Sequence, residues 1–192
     1  MLLDIFSRYV VGWMVATSES AELAKRLVED AYTSHGVEPG RLQLHSDRGS
    51  PMTSITLAQK LADLGIERSL SRPRVSNDNP FSEAHFKTAK YHPSFPRRFG
   101  APEDAREHFR AFFTWYVDEH RHSGLALLTP ADVHLGRADT VIAKRQRVLD
   151  AAFALHPERF PHGAPRAARP PSEVWINPPT SKIITNAGIE SR

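Results

Sequence analysis

Apolar positions along this chain repeat first with the period of strands and then with that of helices. Leu2, Leu3, Ile5 and Phe6 form one apolar run. Ser7-Arg8 then turns into residues 9–16, a β-branched and aromatic stretch that is apolar on both faces. The pattern predicts two strands, the second covered on both sides. From Ser20 the spacing becomes helical, with Leu23, Leu27 and Ala31 at i, i+4 and i+8, ending at His35-Gly36. Residues 42–45 predict a short strand that stops at Ser46-Asp47-Arg48-Gly49. Thr53 is the expected cap of a second helix, whose Leu57, Leu61 and Leu64 share a face and which Gly65 closes. Residues 66–70 predict a further strand.

After a polar loop, Asn79-Pro80 pairs an N-cap residue with proline at the first helical position and predicts a helix over 80–91. Pro102 opens a long helix to about residue 120, with Ala105, Phe109, Phe112, Phe113 and Tyr116 on one side as core. Thr129-Pro130 begins a short helical turn, and residues 139–155 predict another helix. From His156 the composition shifts to Pro, Arg, Ala and His, which reads as a linker or loosely ordered tail. Within it, Val174-Trp175-Ile176 is the segment with enough apolar surface to dock as a strand. The order strand, strand, helix, strand, helix, strand, helix, helix predicts an α/β layer architecture.

Composition narrows the classes. At 192 residues, 40% hydrophobic and 24% charged, the chain can bury a core and is not disordered throughout. It holds no cysteine, so disulfide scaffolds, thiolate metal sites and cysteine nucleophiles are excluded. No apolar run reaches the roughly 18–20 residues of a membrane span, and no leader pattern precedes Leu2. A soluble cytoplasmic, nucleoid-associated domain is expected. The net charge of +3 is concentrated: Arg68, Arg72, Arg74, Lys87, Lys90, Arg97 and Arg98 face only Asp78 and Glu83 over that stretch. Such a stripe suits a polyanion, although charged surfaces also serve solubility alone.

Two carboxylates stand out. Asp47 follows the C-terminal end of a predicted buried strand, where open α/β sheets place ligands. Glu83 sits in the first turn of the helix opened by Asn79-Pro80, with 35 residues between the two acids. Carboxylates from different elements can grip hard divalent cations that bridge phosphate oxygens. Isolated acids are otherwise ordinary solvated groups. On the same helix Glu83, Lys87 and Lys90 fall at i, i+4 and i+7, one polar stripe. It suits an acid for metal beside lysines for phosphate, or a plain helix-stabilising Glu–Lys pair. His45 with Asp47, and His120 with His122, are weaker metal candidates, better explained by core or hydrogen-bonding roles.

Taken together, these motifs resemble a known family. His45-Ser46-Asp47-Arg48-Gly49-Ser50, then Ser76-Asn77-Asp78-Asn79-Pro80-Phe81-Ser82-Glu83, then Phe86-Lys87-Thr88-Ala89-Lys90 are similar to the catalytic core of bacterial insertion-sequence transposases. These belong to the retroviral-integrase superfamily, with its Asp, Asp, 35-residue spacer, Glu triad and a basic residue seven positions after the Glu. Asp4-Ile5-Phe6-Ser7-Arg8 with Val11-Gly12-Trp13 matches the family's hairpin. Trp115-Tyr116, Arg121-His122-Ser123-Gly124-Leu125 and Thr129-Pro130-Ala131 match its later helical region. Val174-Trp175-Ile176-Asn177-Pro178 resembles the tail of some members.

The resemblance implies an RNase H-like mixed sheet flanked by helices. It divides the chain into a partial catalytic core over 1–135 and a helical, basic, Pro-rich extension over 136–192. It also implies two Mg²⁺ (or Mn²⁺) ions that activate water and then a DNA 3′-hydroxyl for in-line attack on a phosphodiester. Carried over by position, Asp47 is the second acid and Glu83 the third, both metal ligands. Lys87 and Lys90, with Arg72 and Arg74, are expected to contact DNA. The implied partners are insertion-sequence ends and target DNA, bound as a homo-oligomer, with no membrane. The family's first acid lies on a central strand ahead of the hairpin and has no match here; Asp4 falls outside the triad. Impaired catalysis is therefore expected. The alternatives are a non-catalytic remnant that binds DNA or a transposase subunit, and an RNase H-like nuclease without strand transfer.

Overall fold

The computed structural model describes residues 1–178 apart from 74, 76 and 77. The architecture is the expected mixed α/β class, in two compact units. The first comprises Met1–Leu2, Val11–Arg97 and the chain from Val174, the second Leu3–Val10 and Arg98–Glu173.

The chain opens with β1 (Leu2–Leu3) paired to β2 (Val10–Gly12) through a turn closed by the Asp4 N–H on the Tyr9 carbonyl, at 2.9 Å. The second strand is thus three residues long where the apolar pattern predicts eight. Residues 13–16 are apolar but lie outside the ladder, with Trp13, Met14 and Val15 half-buried and Ala16 exposed, so the run is not covered on both faces as the pattern predicts. Helix α1 (Ala21–His35) starts as expected, with the Ser20 hydroxyl accepting from the Leu23 N–H at 3.2 Å. It ends at Gly36, whose φ of 58° is the left-handed conformation glycine adopts without a Cβ penalty. Gly12 lies so close to this helix that a Cβ there would stand 3.2 Å from the Ala31 Cβ and 3.4 Å from Leu27.

Strand β3 (Gln43–Ser46) leads into α2 (Ser50–Thr53) and α3 (Ile55–Asp63). The α3 cap is Ser54, whose hydroxyl accepts from the Leu57 N–H at 3.2 Å, not Thr53. Thr53 instead ends α2, its hydroxyl donating to the Gly49 and Ser50 carbonyls. Strand β4 (Glu67–Leu70) pairs parallel with β3, with Gln43 opposite Glu67 and Ser46 opposite Leu70. The two strand pairs are separate sheets among the described residues. Under β3 and β4, Val28, Leu57, Leu61 and Ile66 form a core joined by Leu2, Leu44 and Tyr32. Helix α4 (Pro80–Lys90) completes the elements of this unit.

The second unit is helical. In α5 (Pro102–Asp118) the Asp104 carboxylate reaches back to the Ala101 N–H at 2.9 Å, and Ala105, Phe112, Phe113 and Tyr116 are buried as the stripe predicts. Thr129 caps α6 (Pro130–His134), accepting from the Asp132 N–H at 3.1 Å. Leu125 and Leu128, both fully buried, pack with Ile142 of α7 (Ala138–Leu155). The tail expected to be loose is partly fastened here. The Gln146 amide donates to the Pro165 carbonyl at 3.0 Å and accepts from the Ala167 N–H at 2.8 Å, while Arg169 pairs with Asp139 at 2.8 Å. A side-chain amide that satisfies two main-chain groups fixes an extended segment without any ladder. No described helix is long and apolar enough to cross a membrane.

Candidate active site

Asp47 lies one residue past β3, exposed, with its Oδ1 accepting from the Gly49 N–H at 3.0 Å. This Asx turn bends the chain away from the strand and leaves the second carboxylate oxygen outward. Arg48 donates from Nε to the Ser71 carbonyl at 2.9 Å, tying the turn to the end of β4. Glu83 is exposed in the first turn of α4, where an acid complements the helix dipole, and Lys87 and Lys90 are exposed in its last turn. Among the described residues neither acid enters an ion pair, nor does either lysine.

What relates the two acids is His45. Its Nε2 lies 2.8 Å from the Asp78 carbonyl oxygen, and its Nδ1 lies 3.0 Å from the Ser69 hydroxyl. A carbonyl can only accept, so Nε2 donates to it, and Nδ1 shares a hydrogen bond with the Ser69 hydroxyl. The last turn of β3 is thus joined to the residue before the Asn79 cap of α4, two residues from Asp47 on one side and five from Glu83 on the other. His45 is therefore a hydrogen-bonding group, with both nitrogens used. His122 is likewise engaged, its Nδ1 accepting from the Gly124 N–H at 3.1 Å, and His120 stacks on Tyr116.

Asp78 is 1% exposed and saturated with donors. Its Oδ2 accepts from the Arg72 backbone N–H at 2.7 Å and from Arg72 Nε at 2.9 Å; Oδ1 accepts from Arg72 Nη2 at 2.8 Å. The Arg72 side chain, chiefly, holds this carboxyl far below its ordinary value of 3.8. A group whose folded value is depressed contributes its stability above the unfolded value and loses it as pH falls. Unfolding measured between pH 6 and pH 2 should show a stability loss below about pH 4 that Asp78→Asn lacks. A variant with the wild-type acid limb would contradict that assignment. Arg72 is thereby fixed by one edge of its guanidinium while remaining 63% exposed. Arg74 lies outside the described residues, as do Ser76 and Asn77 of the motif.

In the second unit Asp4 has a separate job. Its carboxylate takes the Ser7 hydroxyl and the Phe6 N–H, and lies 3.1 Å from His134 Nδ1, with Tyr9 stacked on His134 at 4.2 Å. Burial raises the Asp4 pKa, but these hydrogen bonds outweigh it, and the net value lies below the ordinary one. Asp4 pins a turn to α6.

The donor set fits a hard divalent cation chemically: two exposed carboxylates on separate elements, with oxygen donors only. Among the described residues no group of three His, Cys, Asp or Glu side chains converges to hold an ion. The sequence singles out Asp47 and Glu83 as candidates and gives His45 a hydrogen-bonding role, but it does not reveal the Arg72–Asp78 fork. An Arg and an Asp six residues apart in one polar loop were the available signal.

Two profiles of the integrase core domain family match this chain, one over residues 1–76 and one over 64–130. The transposase for insertion sequence element IS904 of Lactococcus lactis subsp. lactis (strain IL1403) is 31% identical over 131 residues, covering 68% of this chain and 51% of that protein. The transposase for insertion sequence element IS629 of Shigella sonnei is 30% identical over 83 residues, covering 43% and 27%. The chain therefore spans about half, or less, of the length of these relatives. Among solved structures, a chain of the simian T-cell lymphotropic virus intasome in complex with PP2A regulatory subunit B56 gamma aligns at a TM-score of 0.47 and 15% identity, over 62% of this chain and 41% of that one.

Proposed function

Because this chain belongs to the insertion-sequence transposases of the integrase superfamily, we propose that it supplies the second and third carboxylates of a magnesium-dependent DNA cleavage and strand-transfer site. The carrying observation is that Asp47 and Glu83 are both exposed and outside any described ion pair, on elements joined by the His45–Asp78 hydrogen bond. Asp47 and Glu83 would hold the Mg²⁺ (or Mn²⁺) ions. When bound, such ions polarise the phosphoryl oxygens and make a water or a 3′-hydroxyl nucleophilic at neutral pH.

The chain's own residues do the rest. The Asx turn at Asp47 fixes one carboxylate oxygen on the backbone and presents the other. Lys87 and Lys90, on successive turns of the Glu83 helix, contact phosphates of the DNA end. Arg72, already anchored by Asp78, adds a pre-positioned charge, and Arg74 a further one. The DNA partners are insertion-sequence ends and target DNA, bound as a homo-oligomer, which places the protein at the nucleoid.

A reading as a DNA-binding part without chemistry has one observation in its favour, the lack of a three-ligand cluster among the described residues. The test compares the 192-residue chain with a version extended by an upstream strand carrying an acid, on end-containing DNA and a supercoiled target with Mg²⁺. Joined products from the extended chain support strand transfer, and hydrolysis alone supports a nuclease. A 192-residue chain as active as the extended one would remove the need for a third acid.

DNA affinity should fall with salt at a logarithmic slope of about 0.9 per phosphate contacted. Lys87→Ala combined with Lys90→Ala should flatten that slope by about 2. An unchanged slope in a filter-binding titration would remove these lysines from the interface.

A further inference from the structure

The Val174-Trp175-Ile176 run, which the apolar pattern predicts to dock as a strand, forms no ladder among the described residues. The residue after it adds a polar attachment. Asn177 donates from Nδ2 to Asp78 Oδ1 at 3.2 Å and accepts at Oδ1 from Arg72 Nη2, also at 3.2 Å. One amide thus faces both members of the buried fork with the matching polarity, donor to carboxylate and acceptor to guanidinium. The backbone is shaped for this: Asn177 has a φ of 55°, a left-handed conformation that asparagine tolerates better than most side chains. The contact joins residues 99 and 105 positions apart, and both it and α4 belong to the same compact unit.

The other side of Asp78 carries the consequence. Its carbonyl receives His45 Nε2, and the next residue, Asn79, is the N-cap of α4, yet Asn79 makes no side-chain capping bond. The start of α4 is therefore set by what holds Asp78 rather than by its own cap. Three groups do so: His45 on the carbonyl, Arg72 on both carboxylate oxygens, and Asn177 on Oδ1. We infer that Asn177 is a positioning residue for Glu83, acting through Asp78 to fix where α4 begins relative to the Asp47 turn. This rests on the reading of Asp47 and Glu83 as the metal-binding pair.

The test uses the full 192-residue chain with Asn177→Ala and Asn177→Asp, read by amide hydrogen exchange and by Mn²⁺ titration. Asn177→Ala should speed exchange at Asp78 and Glu83 about tenfold while leaving α1 and α3 unchanged, and should weaken Mn²⁺ binding by about tenfold, the lower range for losing an outer partner of a ligand. Asn177→Asp should be worse in both readouts at pH 7, because it sets a second carboxylate against Asp78. Faster exchange with unchanged Mn²⁺ affinity would leave Asn177 merely structural and overturn the inference. Unchanged exchange in both variants would overturn it outright. If the unsubstituted chain binds no Mn²⁺, the metal-site reading fails on its own, and with it the role assigned to Asn177, whatever the exchange shows.

Discussion

An Asp47→Asn chain is expected to lose Mn²⁺ binding by well over the roughly 10–100-fold that removing an outer-shell partner costs. The substitution exchanges an anionic oxygen for a neutral amide at nearly constant shape. Its carbonyl oxygen can still accept from the Gly49 N–H, so the turn after β3 survives and the change isolates charge. Hard divalent cations are held by anionic and carbonyl oxygens in sets of six or more donors, with waters filling the remainder. If Asp47 and Glu83 hold the ion as proposed, removing one of them halves the negative charge these elements supply. Asp4→Asn is the control. Asp4 is engaged with Ser7, Phe6 and His134, so its replacement should leave Mn²⁺ affinity within twofold. Calorimetric or paramagnetic titration reads both. Equal affinity for Asp47→Asn and the parent chain, or a loss on changing Asp4, would place the ion elsewhere.

The largest stability effect is expected at Leu57, where truncation to alanine should cost about 2–5 kcal/mol. Leu57 is fully buried, packed in the cluster with Val28, Leu61 and Ile66 that α3 forms beneath the strands. Removing its side chain forfeits the transfer of its methyl groups and leaves a void that Leu61 and Tyr32 can close only in part. Against a typical total of about 5–15 kcal/mol, that is enough to unfold a large share of molecules under mild denaturant. Ile55, two residues earlier and 77% exposed, provides the contrast. Its truncation should stay within about 0.5 kcal/mol. Urea unfolding followed by circular dichroism separates the two, and a Leu57→Ala midpoint equal to that of Ile55→Ala would refute the placement of this core.

Elements signalled by local chemistry were legible before any coordinates. Ser20 and Gly36 bound α1, Pro102 opens α5, and Thr129 caps α6, because each interaction spans only three or four residues. The positions of Asp47 and Glu83, just past a strand and in the first turn of a helix, were legible because both element ends are visible as composition; their pairing as metal ligands came from the family resemblance. The cap of α3 was misplaced by one residue because Thr53 and Ser54 are equivalent as acceptors. Proline in the first turn of α2 starts a short helix that absorbs Thr53. The second strand is shorter than its apolar run because an apolar run alone does not supply the ladder partner; residues 13–16 are only half-buried or exposed. Asn177 could not be foreseen at all. Its partners lie about a hundred residues away, and nothing in Val-Trp-Ile-Asn-Pro announces that the asparagine makes polar contacts with them.

Gly12 sets a limit on how this molecule can vary. Where β2 passes α1, the clearance on the strand side is that of a hydrogen atom, since even a methyl would crowd Ala31 and Leu27. Drift in sequence can reshape the helix side of that seam by exchanging Leu27 for another aliphatic group. A side chain on the strand side needs Ala31 and its helix to give by a few tenths of an ångström, so the joint is retuned more readily from its helix face.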